Sequence, residues 1–237
     1  MKIGVIIQAR MGSQRLPGKV LKEINGISTL EILLNRIRKC GFPIIIATTT
    51  DKKDDILVEK IASLDILSFR GSEDDVLSRY YECALVNNFN VIIRLTADNP
   101  FVDAEFIQYI TSKYINEDNE YIYMSVKDYP LGITLEIFSF KSLHDAFINA
   151  KDSKEREHVT PYIINDPKIQ NIFIKYKTNK SHYRLTIDTY QDYNLAYQLV
   201  NNFNVENLNV DEIIELLDEH IDLIQLNANI HQKLWNE

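Results

Sequence analysis

The sequence has few cysteines, a deficit of basic residues and no long apolar run, and each shortage excludes a class of protein. Its 237 residues contain two cysteines, Cys40 and Cys83, which stand far apart in predicted helices. That pattern is typical of free buried thiols in a reducing compartment rather than of a disulfide scaffold or a metal site. The first apolar run is only about five residues long, so we expect neither a signal peptide nor a membrane span.

The deficit of basic residues bears on the partners of the protein. Lys and Arg together number 26 against 34 Asp and Glu, which gives a formal net charge of -8. Binding to a nucleic-acid backbone needs a basic stripe, so we expect no nucleic-acid partner. With 45% apolar and 25% charged residues, the composition is that of an ordinary globular protein. The reducing compartment indicated by the two cysteines predicts a cytoplasmic location.

Against this acidic background, one stretch is strongly basic. Residues 1–22 include five basic side chains and no acidic one, and the loop after the first apolar run holds Arg10, Arg15 and Lys19 with Gly12 and Gly18 among them. Glycines let backbone N–H groups approach a ligand, while Arg and Lys donate charge-assisted hydrogen bonds to phosphate oxygens. The loop therefore predicts a polyphosphate site; the alternative is a solvated basic turn.

The spacing of this loop excludes the two commonest phosphate-binding motifs. It is not a Walker A loop, because five residues rather than four separate Gly12 from Gly18, and Val20 stands where the magnesium-binding Ser or Thr should be. It contains no G-x-G-x-x-G, which disfavours a Rossmann dinucleotide site. If this loop binds a polyphosphate, it does so with a motif other than these two.

Apolar periodicity predicts that strands and helices alternate in the first half of the chain. The predicted strands are Ile3–Ile7, Ile44–Ala47, Ile66–Phe69 and Val91–Leu95, and the predicted helices are Thr29–Cys40, Asp54–Leu64 and Asp75–Val86. Short connections between them require parallel strands joined by right-handed crossovers, so the fold class is α/β with a doubly wound, mostly parallel sheet. Such sheets bind ligands beyond the carboxyl ends of their strands, where the basic loop lies.

Two aspartates that follow predicted strands are further candidates for the site. Asp98 lies in an Asp-x-Pro turn that presents its carboxylate at the mouth of the sheet. Asp188 follows a predicted strand, Tyr183–Ile187, and precedes a predicted helix. The alternatives are structural: Asp98 or Asn99 caps the next helix or fixes a turn, and Asp188 or Thr189 is a helix N-cap.

The segment ARMGSQRLPGKVL resembles the signature loop of the cytidylyltransferases that activate sugars and sugar acids, and is most similar to the spore-coat polysaccharide branch. This implies a Rossmann-like nucleotidyltransferase fold and an enzyme that transfers CMP from CTP to a small anionic acceptor. RLTADNP and RLTIDTYQDY are similar to the two metal-binding segments of the family, which implies Mg²⁺ at Asp98 and Asp188. The implied nucleotide-binding residues are Ala9, Arg10, Gly12, Ser13, Arg15, Lys19, Arg79 and Asp98, with Arg10, Lys19, Asp98 and Asp188 catalytic.

Three residues are candidates for binding the acceptor. Glu136, on a predicted strand face shared with Thr134 and Phe138, points either into an acceptor pocket or outward as a solvated charge. Arg156 and His158 lie in EREHVTPY, a block similar to one in the family, and suit a carboxylate or phosphate. The alternative for His158 is a structural histidine.

Several alternatives stay open. On physical grounds Arg79 is an ordinary exposed helix residue, although the resemblance places it near the nucleotide. Thr134 and Tyr190 replace the Asp and Pro usual in the family, which leaves room for a catalytically silent nucleotide-binding subunit. A nucleotidyltransferase that uses another NTP with a sugar 1-phosphate is also compatible. Family members are generally dimers, so the resemblance implies a homodimer.

The resemblance also implies the organisation of the chain. A single nucleotidyltransferase domain would span residues 1–237, with a nucleotide-binding half over about 1–125 and a half that binds the acceptor and completes the metal site over about 126–205. A small substrate or dimerisation extension accompanies the sheet. The remainder, about 206–237, is predicted to form helices over Asp211–Leu217 and Ile221–Leu234.

Overall fold

A seven-stranded sheet forms the centre of the computed structural model, which describes residues 1–232. A separate pair of two-residue strands follows the first loop. In chain order the strands are β1 Ile3–Gln8, β2 Glu23–Ile24, β3 Ile27–Ser28, β4 Ile44–Thr49, β5 Leu67–Gly71, β6 Val91–Thr96, β7 Ile122–Lys127, β8 Glu136–Ser139 and β9 Gln170–Lys175.

Helices cover both faces of this sheet. One face packs against α1, α2, α4, α8 and α9, and the other against α3, α5 and α7, while α6 packs on α3 and α7. In chain order the helices are α1 Thr29–Ile37, α2 Asp55–Ser63, α3 Val76–Val86, α4 Ala104–Ile115, α5 Phe140–Asn149, α6 Ser153–His158, α7 Pro161–Asn165, α8 Tyr190–Phe203, α9 Val210–Glu219 and α10 Ile221–Gln225. Short 3₁₀ turns occupy Lys19–Leu21, Arg38–Cys40, Lys52–Asp54 and Val205–Asn207.

The strand order, β5-β4-β1-β6-β8-β7-β9, shows how the chain winds. From β1 it moves outward through β4 to β5 and then crosses back to β6 on the other side of β1. All neighbouring pairs in the sheet are parallel except those made by β8. The predicted fold class, a doubly wound and mostly parallel sheet, is confirmed. The reversal between β1 and β6 is the switch point at which such sheets bind ligands.

The central strand shows why the sequence pattern predicted this architecture. In β1 the first five residues are buried, as expected of a parallel strand covered on both faces. Val5 and Ile7 join the hydrophobic cluster on one face, and Ile6 joins the cluster on the other. Cys40 and Cys83 are free and buried, as predicted. Within residues 1–232, no helix is long and apolar enough to cross a membrane.

Two predicted elements differ from the structure, and one hairpin was not predicted. Asn25 and Gly26 have positive φ angles and turn β2 back onto β3, a hairpin that the periodicity analysis had missed. The predicted strand Tyr183–Ile187 is wrong, because this segment makes only an isolated bridge between Leu131 and Arg184. The predicted helix Ile221–Leu234 is also wrong in length: α10 ends at Gln225, and residues 233–237 lie outside the described residues.

Both corrections have the same physical cause, because tertiary hydrogen bonds replace regular secondary structure. The Leu185 N–H donates to the Leu131 carbonyl, and the Ile187 N–H donates to the Asp98 carbonyl. Beyond α10, the buried Asn227 amide donates to the Arg184 carbonyl at 2.9 Å. The segment 183–188 is therefore held by three different parts of the chain rather than by one neighbouring strand.

Gly132 allows the close approach between the loop after β7 and this segment. Its φ angle is 100°, and a Cβ atom added there would lie 2.4 Å from the Thr186 nitrogen. We expect Gly132→Ala to lower the free energy of unfolding by roughly 3 kcal/mol, through backbone strain and steric overlap.

The matched control is Gly26→Ala, where φ is 80° but nothing lies within 4 Å of an added Cβ. Strain alone should cost this variant about 1 kcal/mol. Urea unfolding of both variants measures the difference. If both variants lose the same free energy of unfolding, the steric contact with Thr186 does not add to the cost of Gly132→Ala.

Candidate active site

Three segments distant in sequence meet at the carboxyl edge of the sheet. The basic loop follows β1, and Asp98 follows the neighbouring strand β6. Asp188 reaches the same place because the Ile187 N–H donates to the Asp98 carbonyl at 2.8 Å. The switch point thus brings together the predicted anion-binding loop and the two predicted metal-binding aspartates.

Lys19 lies between these two aspartates. Its Nζ donates to Asp98 Oδ2 and to Asp188 Oδ1, in both cases at 2.7 Å. Only 12% of the Lys19 side chain is exposed, so the pairing takes place largely out of solvent. Burial opposes a charge on Lys19, but the two carboxylates outweigh it and raise its pKa. Burial also opposes ionisation of Asp98, but Lys19 and Thr96 outweigh it and lower the pKa of that carboxyl.

The other two cations of the loop also have carboxylate partners. Arg15 Nη2 donates to Asp188 Oδ2 at 2.9 Å, and Arg10 Nη1 contacts Glu73 Oε1 at 3.4 Å. Arg10 and Arg15 are nearly half exposed, so these pairs are open to exchange with a ligand. Lys53 donates to the same Glu73 oxygen at 2.6 Å and lies above Gly12, where an added Cβ would meet its Cε at 3.1 Å.

The start of the loop is anchored by Asp54, whose role the sequence did not indicate, and by the backbone of Ala9, a predicted nucleotide-binding residue. Asp54 is fully buried, and its carboxylate accepts the Met11 N–H at 2.7 Å and the Thr49 hydroxyl. Ala9 is buried and donates its N–H to the Ala47 carbonyl. Ser13, another predicted nucleotide-binding residue, is half-buried and donates its N–H to the Met11 carbonyl.

Asp188 is positioned by a buried ion pair behind it. Arg184 and Asp192 are paired at 2.7 Å with side chains 5% exposed and fully buried, respectively. The Asp192 carboxylate also accepts the Asp188 N–H at 3.0 Å and the Thr189 N–H at 2.9 Å. Burial opposes ionisation of Asp192, but Arg184 and the Asn227 amide outweigh it and lower the pKa.

The structural alternatives for the two aspartates hold in part, at Thr189 and in the turn at Asp98, and they leave both carboxylates at the site. Thr189 is the N-cap of α8 and forms a capping box with Asp192, which leaves the Asp188 side chain free of that role. Asp103 is the N-cap of α4, so neither Asp98 nor Asn99 caps it. Asp98 does help to fix its turn, because its Oδ1 accepts the Thr96 hydroxyl. Tyr190, in place of proline, is simply the first residue of α8 and leaves the cap intact.

Arg79 is not an exposed helix residue, and that interpretation is wrong. It is 2% exposed, and its Nη1 donates to the Ser72 carbonyl at 2.9 Å. The other buried arginines, Arg36 and Arg184, each have a carboxylate within 4 Å. Within residues 1–232, Arg79 has no such partner and its Nε makes no hydrogen bond. Burial therefore lowers its pKa, with Arg10 adding to the effect.

Glu136 is neither a solvated charge nor an available ligand. It pairs with Arg94 and accepts hydrogen bonds from the hydroxyls of Tyr123 at 2.6 Å and Thr160 at 2.7 Å. Arg94 Nη2 in turn donates to Gln8 Oε1 at 3.1 Å, at the end of β1. The expectation of an outward-facing charge is wrong. Thr134 precedes β8, which begins at Glu136, so the two do not share a strand face.

The other two acceptor candidates lie on α6 and do not join the cluster around Lys19. Arg156 is held by Asp75, the N-cap of α3, with Nε–Oδ2 at 3.0 Å, and it donates to the Phe147 carbonyl at 2.8 Å. His158 is half-buried and is the last residue of α6. Arg156 thus joins α6 to α3, a structural contact that the sequence block EREHVTPY did not reveal.

The carboxylate oxygens around Lys19 are suitable ligands for a divalent cation. Asp98 and Asp188 already converge on one positive charge, and Mg²⁺ prefers such oxygen ligands. Within the described part of the chain, no group of three or more His, Cys, Asp or Glu side chains could hold a metal. A cation here would therefore have to take its remaining ligands from water or from phosphate oxygens, which is the usual mode for Mg²⁺ at nucleotide sites.

A doubly wound sheet with a basic loop and paired carboxylates at its switch point is typical of enzymes that act on nucleotides. Comparison with known protein families and structures identifies the class. The family model described as cytidylyltransferase matches residues 4–234. The chain belongs to the cytidylyltransferase family and is a nucleotidyltransferase. The resemblance found in the basic loop is thereby confirmed.

Relatives of known sequence and structure agree with this assignment. The chain is 37% identical to the spore coat polysaccharide biosynthesis protein SpsF of Bacillus subtilis, over 92% of this chain and 94% of that protein. It superposes on a cytidylyltransferase of Leptospira borgpetersenii with a TM-score of 0.91 and 29% identity, over 99% and 100% of the two chains. It shares its fold with a CMP:2-keto-3-deoxy-manno-octonic acid synthetase complexed with CTP (TM-score 0.66, 13% identity, 84% and 98% covered).

The buried pair behind Asp188 predicts a pH-dependent stability effect. Asp192→Asn should lower the free energy of unfolding by roughly 3–5 kcal/mol near pH 7, because it leaves the Arg184 charge buried and unpaired. The folded-state pKa of Asp192 is depressed, so the stabilisation is present above its unfolded pKa of about 4 and is lost as the pH falls through the lower folded value.

Urea unfolding of wild type and variant between pH 3 and pH 7 measures this difference. The two curves should converge toward acid. A difference that does not shrink below about pH 4 would contradict the assignment of the stabilisation to the Asp192 carboxylate.

Proposed function

We propose that this protein is a Mg²⁺-dependent cytidylyltransferase that transfers CMP from CTP to a sugar acid or a phosphorylated acceptor and releases pyrophosphate. The observation that supports this most strongly is the convergence of the basic loop with Asp98 and Asp188 on Lys19, at the switch point of the sheet. The polysaccharide-biosynthesis relative supports a role in surface glycan formation. A cytoplasmic location and a homodimer are part of the proposal.

The loop would hold the triphosphate of the nucleotide. Arg10, Arg15 and Lys19 can exchange their carboxylate partners for phosphate oxygens, which also accept charge-assisted hydrogen bonds. Arg79 supports this assignment independently. Its buried guanidinium has no carboxylate partner in the described chain, and such a charge is costly unless a ligand compensates it.

In the transfer itself, an acceptor oxygen, from a hydroxyl or a phosphate group, attacks the α-phosphorus in line. The bond from the α-phosphorus to the bridging oxygen breaks, pyrophosphate leaves, and a hydroxyl acceptor releases its proton to water. Mg²⁺ held by Asp98 and Asp188 would neutralise negative charge on the phosphate oxygens. The contribution of the protein is to orient the phosphates with Arg10, Arg15 and Lys19 and to stabilise their charge.

Covalent catalysis by a thiol is disfavoured by the environments of the two cysteines. Burial raises the pKa of Cys83 to about 12 and raises the pKa of Cys40. A nucleophilic cysteine needs its thiolate form near neutral pH. The structure therefore supports direct transfer between the two substrates.

The acceptor would bind on the side of β8 and α6. Glu136, fully engaged by Arg94, Tyr123 and Thr160, is better suited to holding that side of the cleft in shape than to binding the acceptor directly. The half-buried His158 remains the candidate for contact with an anionic group of the acceptor.

The reaction is tested by following pyrophosphate release from CTP, UTP, GTP or ATP with Mg²⁺ and a panel of sugar acids, sugar phosphates and other phosphorylated alcohols. Release from CTP with an acidic acceptor is expected. Release only from another NTP with a sugar 1-phosphate would establish the alternative nucleotidyltransferase, and no release with any pair would favour a silent nucleotide-binding subunit.

In the same assay, Asp98→Asn should reduce the rate by roughly 100- to 1,000-fold, because the amide keeps the shape of the side chain but loses the charge needed by the metal and by Lys19. The thermal midpoint of unfolding checks that the variant is folded. Asp222→Asn, an exposed carboxylate on α10, is the control and should keep wild-type activity. An active Asp98→Asn enzyme at ordinary Mg²⁺ concentrations would overturn the metal assignment.

A second variant tests the anchor of the loop. Asp54→Ala removes the acceptor of the Met11 N–H and should weaken CTP binding by about tenfold, the effect of losing one buried hydrogen bond that orders the loop. Asp55→Ala removes the neighbouring carboxylate, which is exposed and paired with Arg70 outside the loop. Calorimetric titration with CTP should give equal affinities for Asp55→Ala and wild type. Equal affinities for all three proteins would show that Asp54 does not order the site.

A further inference from the structure

The oxygens of Asp98 and Asp188 are all occupied by donors from the protein itself. Asp98 Oδ1 accepts the Thr96 hydroxyl, and its Oδ2 accepts Lys19. Asp188 Oδ1 accepts a hydrogen bond from Lys19. Its Oδ2 accepts hydrogen bonds from the guanidinium groups of Arg15 at 2.9 Å and Arg184 at 3.4 Å. The pair that is proposed to hold a metal is therefore neutralised without one.

The Lys19 ammonium takes the place that a metal would need. A Mg²⁺ ion binds carboxylate oxygens at about 2.0–2.1 Å, so an ion shared by the same two oxygens would lie against the ammonium. Like charges in so small and poorly solvated a space repel strongly. Lys19 and a divalent cation therefore cannot both hold the facing oxygens of Asp98 and Asp188 in this arrangement.

The Lys19 side chain can change its partners without a change in its backbone. The Lys19 carbonyl accepts the Thr29 hydroxyl at 2.7 Å and the Lys22 N–H at 3.2 Å, which fixes the main chain in its 3₁₀ turn. A lysine carries a compact charge with three donors on a flexible stem. It can therefore transfer its hydrogen bonds to a nearby phosphate without any change in the loop.

We propose that Lys19 and the divalent cation are alternative occupants of the Asp98–Asp188 pair. In the nucleotide-free protein Lys19 closes the pair to free metal, and a bound triphosphate opens it by drawing the ammonium onto its own oxygens. The metal then enters with or after the nucleotide. This inference rests on the proposed function for the assignment of the metal ligands, but not on the identity of the base or the acceptor.

The test is the binding of Mn²⁺, a paramagnetic substitute for Mg²⁺, to the full chain without nucleotide, measured by electron paramagnetic resonance. Lys19→Met should bind Mn²⁺ at least tenfold more tightly than wild type. Lys22→Met is the control, because it removes the same charge three residues away, where the ammonium lies over the Tyr193 ring. This variant should bind Mn²⁺ as weakly as wild type. Lys19→Gln, whose amide can still donate to the carboxylates, is the companion variant if Lys19→Met does not fold, and should change in the same direction.

Two further measurements locate the effect. Adding Asp98→Asn to Lys19→Met should abolish the gain in Mn²⁺ binding. Calorimetric titration with CTP in a metal chelator should show weaker nucleotide binding by Lys19→Met, opposite in sign to its effect on Mn²⁺. If Lys19 had only a structural role, Lys19→Met would weaken the binding of both Mn²⁺ and CTP.

The proposal is overturned if neither Lys19 variant binds Mn²⁺ more tightly than wild type, if Lys22→Met gains as much, or if the gain survives Asp98→Asn. Because no acceptor is present, these outcomes are distinct from a failure of the proposed reaction. Absence of pyrophosphate release would refute the proposed transfer and leave the Mn²⁺ result unaffected.

Discussion

The structure of the site depends on one ammonium group that is shared by two carboxylates. Lys19 lies 79 residues from Asp98 and 169 residues from Asp188 in the sequence, yet its Nζ is 2.7 Å from an oxygen of each. Charges that are largely removed from water are costly unless they are paired, so this contact requires the loop, the end of β6 and the segment before α8 to meet.

Buried carboxylates behind the site meet that demand. Asp54 holds the Met11 N–H at the start of the loop, and Asp192 holds the Asp188 N–H while pairing with Arg184. Each anchor lies at the start of a helix, where backbone geometry is well defined. The groups that would meet substrate are therefore positioned by residues that never reach it, which is how precise sites are generally supported.

The two halves of the cleft differ in how their charges are satisfied. On the side of the basic loop, Arg79 is buried and has no carboxylate partner within residues 1–232, and Arg10 is paired at an exposed contact. On the side of β8, Arg94 and Glu136 satisfy each other. The first side therefore carries positive charge suited to an anion, whereas the charges on the second side compensate each other.

The sequence by itself determined the alternating strands and helices, the basic loop and the position of Asp98, because these depend on local periodicity and turn chemistry. It could not show that Arg79 is buried, that Tyr183–Ile187 joins no strand, or that Asp54 and Asp192 support the site. Burial and pairing depend on which distant segments pack together, and residue spacing does not contain that information. Only the tertiary structure decided that Lys19, read from the sequence as a phosphate ligand alone, also lies between the two aspartates.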